Sequence, residues 1–222
     1  GYAERNPEAD VEGHDACRKI AILTSLIAGQ HVDFETIHTE GITKITTEDM
    51  KYAKKMNMAI KLLASSKREG ESFSAIVAPM LLSENHPLCN VNDVFNAVFV
   101  RGNMLGDAMF YGSGAGKLPT ASAVVADVVD EAKNLHENIA TNWSNEPMKL
   151  TPMEETEGRF FVRVKGVTEA QAEAAFGKLQ IVKVASLPDE FGFITECMKQ
   201  KEYKEKISKL NGEVIAMIRV KD

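Results

Sequence analysis

The sequence has few of the features that mark membrane-spanning or nucleic-acid-binding proteins. No apolar run approaches the roughly 18 residues that cross a bilayer. No basic run offsets the net charge of −6, which comes from 26 lysines and arginines against 32 acidic residues. An acidic chain of this kind is poorly suited to nucleic acid or to an anionic membrane surface. We therefore expect neither partner.

Cysteine is also scarce. Cys17, Cys89 and Cys197 lie far apart and show no metal-ligand spacing, and the five histidines are scattered in the same way. We expect reduced thiols, a cytoplasmic protein and no metal site. The 222 residues and a hydrophobic content of 44% suit one or two globular domains with a real core.

The first nineteen residues carry the strongest signal. Five carboxylates occur there, on Glu4, Glu8, Asp10, Glu12 and Asp15. An Asn-Pro pair predicts a turn, and a helix is predicted from about His14 to Ala28, closing at Gly29, which places Asp15 and Lys19 on one face. Two interpretations stay open from these residues alone. One is a solvated loop with an ordinary ion pair; the other is a catalytic Lys19 oriented by Asp15 and Asp10, with Glu4 holding a cationic substrate group.

The whole stretch resembles the signature of homoserine dehydrogenase. The family pattern runs from a glycine and an aromatic residue through Asn/Asp-Pro, Asp, an aliphatic residue, Gly and Asp to a lysine. The matching residues are Gly1, Tyr2, Asn6, Pro7, Asp10, Val11, Gly13, Asp15 and Lys19. The resemblance continues to about Val129 through the segments 60–64, 95–100 and 112–116.

This resemblance implies a reaction and roles for several residues. The reaction is the NAD- or NADP-dependent interconversion of L-aspartate 4-semialdehyde and L-homoserine, a step of threonine, methionine and isoleucine biosynthesis. Lys19 would supply the proton, and Glu4 would bind the substrate ammonium within a polar network that includes Asp10 and Asp15. Gly1 and Gly116 would leave room for the nicotinamide side of the cofactor. The family also implies a homodimer or homotetramer.

The position of the signature suggests that part of the enzyme lies outside this chain. In the family it occurs mid-chain, after a nucleotide-binding domain, whereas here it opens the sequence and the first methionine is Met50. We therefore expect an N-terminal nucleotide-binding domain, with most of the cofactor contacts, to be missing. The chain alone would then be inactive.

The predicted fold is α+β, in two parts. Residues 1–136 are expected to form the catalytic and dimerisation domain, a mostly antiparallel sheet of four strands with helices on one face. Within it, residues 112–136 are the glycine-rich loop and the helix that would return to the nucleotide-binding domain. Residues 137–157 are polar and predict a linker.

The last part, residues 158–222, predicts a β-α-β-β-α-β unit with the ferredoxin-like plan, in which one strand is expected from Phe191 to Met198. In this position it resembles an ACT domain, the small regulatory module often attached to homoserine dehydrogenases. The ligand loop of that module usually carries an Asp/Lys-Pro-Gly turn, and here residues 165–168 retain only the glycine. Binding of an amino-acid effector and pairing with another ACT domain are therefore both left open. The alternative for the whole chain is an ACT-type sensing or dimerisation module without catalysis.

Overall fold

The computed structural model describes residues 5–140 and 142–221, so the predicted site residues Gly1 and Glu4 lie outside the described residues. The helices within these ranges are α1 (Glu8–Val11), α2 (His14–Ala28), α3 (Thr47–Lys55), α4 (Lys117–Lys133), α5 (Glu169–Phe176) and α6 (Gln200–Ile207). The strands are β1 (Gln30–His31), β2 (His38–Thr39), β3 (Met58–Glu69), β4 (Ser72–Ser83), β5 (Phe95–Gly102), β6 (Gly106–Ser113), β7 (Ser144–Pro147), β8 (Glu157–Lys165), β9 (Gln180–Val182), β10 (Glu190–Ile194), β11 (Met198–Lys199) and β12 (Glu213–Lys221). Short 3₁₀ turns occupy Phe34–Thr36, Pro87–Asn90 and Met153–Glu155.

The chain divides into two compact units. The first contains residues 5–7 and the described part of 85–142; the second contains residues 8–84 and 143–221. The second unit therefore joins most of the predicted catalytic domain to the predicted ACT-like part. The assignment of 1–136 and 158–222 to separate functions stays a prediction.

The second unit is built on one large sheet. Its strands follow the order β2-β4-β12-β8-β10-β9, with β3 also paired to β4 and β11 also paired to β8. Strand β3 pairs antiparallel with β4 along its whole length. The other edge of β4 is shared, because β2 pairs with it in parallel at Ile76 and Val77, and β12 in parallel from Met80 to Leu82. Most strand pairs of this sheet are antiparallel, as predicted.

Helices α2 and α3 pack on one face of the β3–β4 hairpin. Because side chains alternate along a strand, Val77 and Leu81 point to the same face of β4. Val77 packs with Cys17, Ile20 and Ala21 of α2, and Leu81 packs with Tyr52 and Ala53 of α3. This half of the sheet has its helices on one face, as the sequence predicts.

Strands β8, β9, β10 and β12 form a ferredoxin-like arrangement with α5 and α6. In chain order these four strands are first, second, third and fourth, and in the sheet they lie 4-1-3-2. Phe160, Val162 and Val164 of β8 face α5 and α6 in one core. The alternate residue Phe161 faces α3 on the opposite side of the sheet. Helix α3 is thus shared between the hairpin and the ferredoxin-like strands.

One prediction about connectivity is wrong. Strands β5 and β6 pair only with each other among the described residues, so they do not extend the β3–β4 hairpin into one four-stranded sheet. The segment predicted as a linker, residues 137–157, also takes part in strand pairing. It contains β7, which pairs in parallel with β1, and its Thr151 N–H donates to the Phe73 carbonyl at 2.7 Å. No helix within the described ranges is long and apolar enough to span a bilayer.

Candidate active site

The helix that carries the predicted catalytic lysine begins and ends at glycines. Gly13 precedes α2 with φ 79°, and Gly29 follows it with φ 71°, both in the left-handed region that favours glycine. The N–H of Gly29 donates to the Ser25 carbonyl and closes the last turn. The predicted bounds of this helix, from His14 to Ala28, are confirmed.

Asp15 and Lys19 form the predicted ion pair on this helix. The Nζ atom of Lys19 lies 2.6 Å from Oδ2 of Asp15, as expected for residues four apart on a helix. Both side chains reach solvent, with 66% of Lys19 and 48% of Asp15 exposed. The pair is therefore open to a ligand, and the aspartate holds the ammonium at the helix surface.

The loop before α2 packs closely on the sheet at Gly13. A Cβ atom at Gly13 would lie 3.0 Å from Cγ1 of Val77 and 3.4 Å from Cγ2 of Thr39. The residue therefore needs both the left-handed backbone and the absence of a side chain. This close approach places the first turn of α2, with Asp15, directly above strands β2 and β4.

The remaining predicted site residues are not shown to meet this pair. Asp10 is exposed on the short helix α1, and its carbonyl accepts the N–H of Gly13 at 3.2 Å. Gly116 precedes α4 with φ 120° and belongs to the first unit. Since Gly1 and Glu4 lie outside the described residues, the grouping of these residues around Lys19 stays a prediction.

A second segment, Glu40 to Ile42, holds the loop before α2 on the side away from β4. The sequence did not predict this role. The N–H of Ile42 donates to the Val11 carbonyl at 2.7 Å, and the N–H of Glu40 donates to the Val77 carbonyl at 2.8 Å. A Cβ at Gly41 would lie 2.5 Å from the Val11 carbonyl oxygen. The glycine at position 41 was visible in the sequence, but nothing local indicated which segment it would face.

The carboxylate of Glu40 joins this segment to the last strand. Its Oε2 accepts a hydrogen bond from Nη1 of Arg219 at 2.8 Å, and its Oε1 lies 2.5 Å from Nε2 of His38. Burial acts to raise the pKa of Glu40, but the hydrogen bonds from His38 and Arg219 outweigh it and lower that pKa to about 2. Nη2 of Arg219 donates to Oε1 of the buried Gln200 at 2.9 Å.

Metal ligation has no visible basis in the described part of the chain. Within residues 5–140 and 142–221, no three His, Cys, Asp or Glu side chains come together as a ligand set. The cysteines Cys17, Cys89 and Cys197 are free thiols.

Comparison with known proteins identifies the family. The family model described as homoserine dehydrogenase matches residues 1–129. The homoserine dehydrogenase of Bacillus subtilis is 44% identical over 142 residues, which is 64% of this chain and 33% of that protein. That of Pseudomonas aeruginosa is 38% identical over 213 residues, or 92% of this chain and 47% of that protein.

Solved structures match nearly the whole chain. A homoserine dehydrogenase from Thiobacillus denitrificans has a TM-score of 0.86 at 30% identity, covering 99% of this chain and 56% of that one. The enzyme from S. aureus gives 0.80 at 29% identity, again over 99% of this chain and 55% of that one. The predicted α+β class is confirmed by these matches, and the chain spans about a third to a half of the relatives' length. This chain therefore belongs to the homoserine dehydrogenase family.

Proposed function

We propose that the chain is the substrate-binding and proton-transferring part of an NAD(P)-dependent homoserine dehydrogenase. The observation that carries the proposal is the open Asp15–Lys19 pair, placed by Gly13 at the start of α2 inside the family's matching region. The substrates would be L-homoserine and L-aspartate 4-semialdehyde. A cytoplasmic location remains a prediction from the sequence.

Lys19 would manage the single proton of the reaction. Reduction of the aldehyde develops negative charge on oxygen, and an ammonium group within hydrogen-bond reach can supply the proton. The Asp15 carboxylate, 2.6 Å from Nζ, would keep the lysine oriented toward that oxygen. Glu4 and Asp10 would bind the ammonium group of the substrate, because opposite charges offset the cost of removing each other from water.

The cofactor would be NAD or NADP, with most of its contacts in a nucleotide-binding domain outside this chain. The bound dinucleotide supplies the hydride chemistry. Gly116, whose φ of 120° excludes most side chains, would let the backbone approach it, as would Gly1. Helix α4 exposes Leu118, Val124, Val125, Val128 and Val129, a surface suited to packing on that domain.

The test of this proposal is an activity assay on the complete protein that carries this chain. With L-homoserine and either NAD or NADP, we expect the protein to produce reduced cofactor. The absorbance of NADH or NADPH measures this product. Serine, which lacks one methylene, is the matched control substrate and should react at least about tenfold more slowly. A folded protein that reduces neither cofactor with homoserine would contradict the proposal.

The family also implies a homodimer or homotetramer, and we propose that the β5–β6 hairpin carries the contact between copies. Phe95, Val98, Met109, Phe110 and Tyr111 are large apolar side chains exposed on it, and Phe110 is 70% exposed. Replacing Phe110 with glutamate should lower the mass measured by light scattering by about half. Met50→Glu, at an exposed methionine of α3, is the control. An unchanged mass for Phe110→Glu would remove the hairpin from the interface.

The ferredoxin-like strands favour a second role, binding an amino-acid effector as an ACT-like domain. The supporting observations are the 4-1-3-2 strand order and the left-handed Gly166, with φ 71°, after the first of these strands. Calorimetric titration with L-threonine would test this role. Binding without any dehydrogenase activity in the complete protein would favour the alternative of a sensing module without catalysis.

A further inference from the structure

The position of the loop before Lys19 depends on residues from two distant parts of the chain. The loop before Lys19 is residues 10–13, that is, the last two residues of α1 and the turn into α2, and it lies between β4 and the segment Glu40–Ile42. It is joined to that segment by the bond from Ile42 N–H to the Val11 carbonyl and by the close approach of Gly41 to Glu12. Any movement of residues 40–42 would therefore move the start of α2, which carries Asp15 and Lys19.

The side chain of Glu40 extends away from the loop toward the ferredoxin-like strands. Its partner Arg219 lies on β12, between β4 and β8, and its side chain is only 9% exposed. The second guanidinium nitrogen of Arg219 bonds to Gln200, the first residue of α6. A continuous chain of polar contacts thus runs from α6 through Arg219 and Glu40 to the segment that holds the loop.

The electrostatics of this contact favour a fixed geometry. Glu40 remains ionised at neutral pH, because hydrogen bonds from His38 and Arg219 outweigh its partial burial. A charge-assisted bond of 2.8 Å to a buried guanidinium is stronger than a hydrogen bond between neutral groups. Since Arg219 is held by strand pairing on both sides, Glu40 is the more adjustable partner.

We propose that Glu40 and Arg219 are positioning residues for the reaction, which fix the loop that carries Asp10 and leads to Lys19. The pair touches neither substrate nor cofactor in this proposal; it acts through the backbone of residues 40–42. The ferredoxin-like strands are then part of the active site's support, so that a change in β12 or α6 reaches the loop. This inference rests on the proposed homoserine dehydrogenase function.

The test compares Glu40→Ala, Arg219→Met and the double variant in the complete enzyme. Each single change should raise the KM for homoserine about tenfold, with the KM for the dinucleotide within about twofold of the wild type. The double variant should be no worse than the worse single one, because both changes remove the same contact. Arg219→Lys, which keeps the charge and one donor nitrogen, should recover most of the loss.

Lys204→Gln is the matched control. Lys204 on α6 forms a 2.9 Å ion pair with Glu154 in the same unit, and this pair does not include residues 40–42. Its KM values should stay within about twofold of the wild type. A merely structural role for Glu40 and Arg219 would lower the melting temperature and leave the homoserine KM unchanged, which would overturn the inference.

A second measurement separates this inference from the proposed function. Hydrogen exchange in the chain itself follows the N–H groups of Gly13 and Ile42, which bond to the carbonyls of Asp10 and Val11. Both should exchange at least about tenfold faster in Glu40→Ala than in wild type or Lys204→Gln. If the complete wild-type enzyme is inactive, the proposed function fails, and unchanged exchange in Glu40→Ala would still overturn the positioning role.

Discussion

Lys19 and Glu40 illustrate two kinds of ion pair, one predictable and one not. The Asp15–Lys19 pair follows from a spacing of four on a helix, so the sequence alone predicts it. The Glu40–Arg219 pair joins residues 179 positions apart in a loop and a strand. No local pattern indicates it, because periodicity shows which face a residue occupies and not which distant strand lies beside it.

The lowered pKa of Glu40 predicts a pH-dependent contribution to stability. Its pKa falls from 4.5 to about 2 in the folded chain, so the stabilisation is present above pH 4.5 and is lost as the pH falls toward 2. After discounting for a side chain 36% exposed, we expect about 1–2 kcal/mol. Denaturant unfolding of wild type and Glu40→Gln should differ by this amount at pH 6.

The difference in unfolding free energy between wild type and Glu40→Gln should shrink as the pH is lowered from 5 to 2. The reason is that protonation of Glu40 removes from wild type the stabilisation by the charged carboxylate, which the glutamine variant lacks at every pH. Glu173→Gln, at an exposed position of α5, is the control and should match wild type throughout. A difference that stays constant with pH would show that the carboxylate's charge contributes nothing to folding.

At the scale of single elements, helix α2 was the best predicted part of the chain. Glycines on both sides and apolar residues at spacings of three and four marked its ends and its buried face. Thr46 caps α3 and forms a capping box with Asp49. Strand ends were less exact: the strand predicted for 191–198 ends at Ile194. Alternation does not show where pairing stops.

The two glycines that flank α2 make a matched test of the packing at the loop. Both have left-handed φ values, but a Cβ at Gly29 would meet nothing within 4 Å, whereas one at Gly13 would meet Val77 at 3.0 Å. Gly29→Ala should cost about 1–2 kcal/mol from backbone strain alone. Gly13→Ala should cost about 1 kcal/mol more in denaturant unfolding. Equal losses would mean that the contact with Val77 is unimportant.

At the scale of the whole molecule, the sequence did not predict that strands from the two predicted domains share one sheet. The order β-α-β-β-α-β was correctly recognised, but the pairing of β12 with β4 joins these strands to the β3–β4 hairpin in one sheet. Parallel pairing between strands far apart in sequence leaves no turn or spacing signal. The β-α-β-β-α-β order predicts a last strand, but it does not predict that this strand pairs with β4.

A buried charge cluster fastens helix α3 to the ferredoxin-like strands. Arg163 of β8 bonds to Asp49 of α3 at 2.7 Å and to Glu190 of β10 at 2.8 Å, with 3% of the Arg163 side chain exposed. Arg163→Met would leave the buried Asp49 uncompensated and should cost about 3–5 kcal/mol of unfolding free energy. The exposed Arg68→Met, which breaks the pair with Glu71, should change it by less than about 1 kcal/mol.

A loss for Arg163→Met no greater than that for Arg68→Met would mean that packing alone holds α3 on these strands. Replacing Asp49 with asparagine in the Arg163→Met background separates the two contributions, because it removes the unpaired charge. The double variant should regain part of the lost stability. If Asp49→Asn instead lowered the stability further, by as much as Arg163→Met alone does, the role assigned to the buried charge would be contradicted.

The most direct test of the proposed function is turnover of L-homoserine by the complete enzyme with Lys19 intact and with Lys19→Ala. Lys206→Ala is the matched control, because Lys206 pairs with Glu202 four residues earlier on α6 in the same way. We predict a loss of roughly a hundredfold or more for Lys19→Ala, as expected when a proton donor is removed, and a change within about twofold for Lys206→Ala. Undiminished turnover in a folded Lys19→Ala enzyme would contradict the account and leave Asp15–Lys19 as an ordinary surface pair.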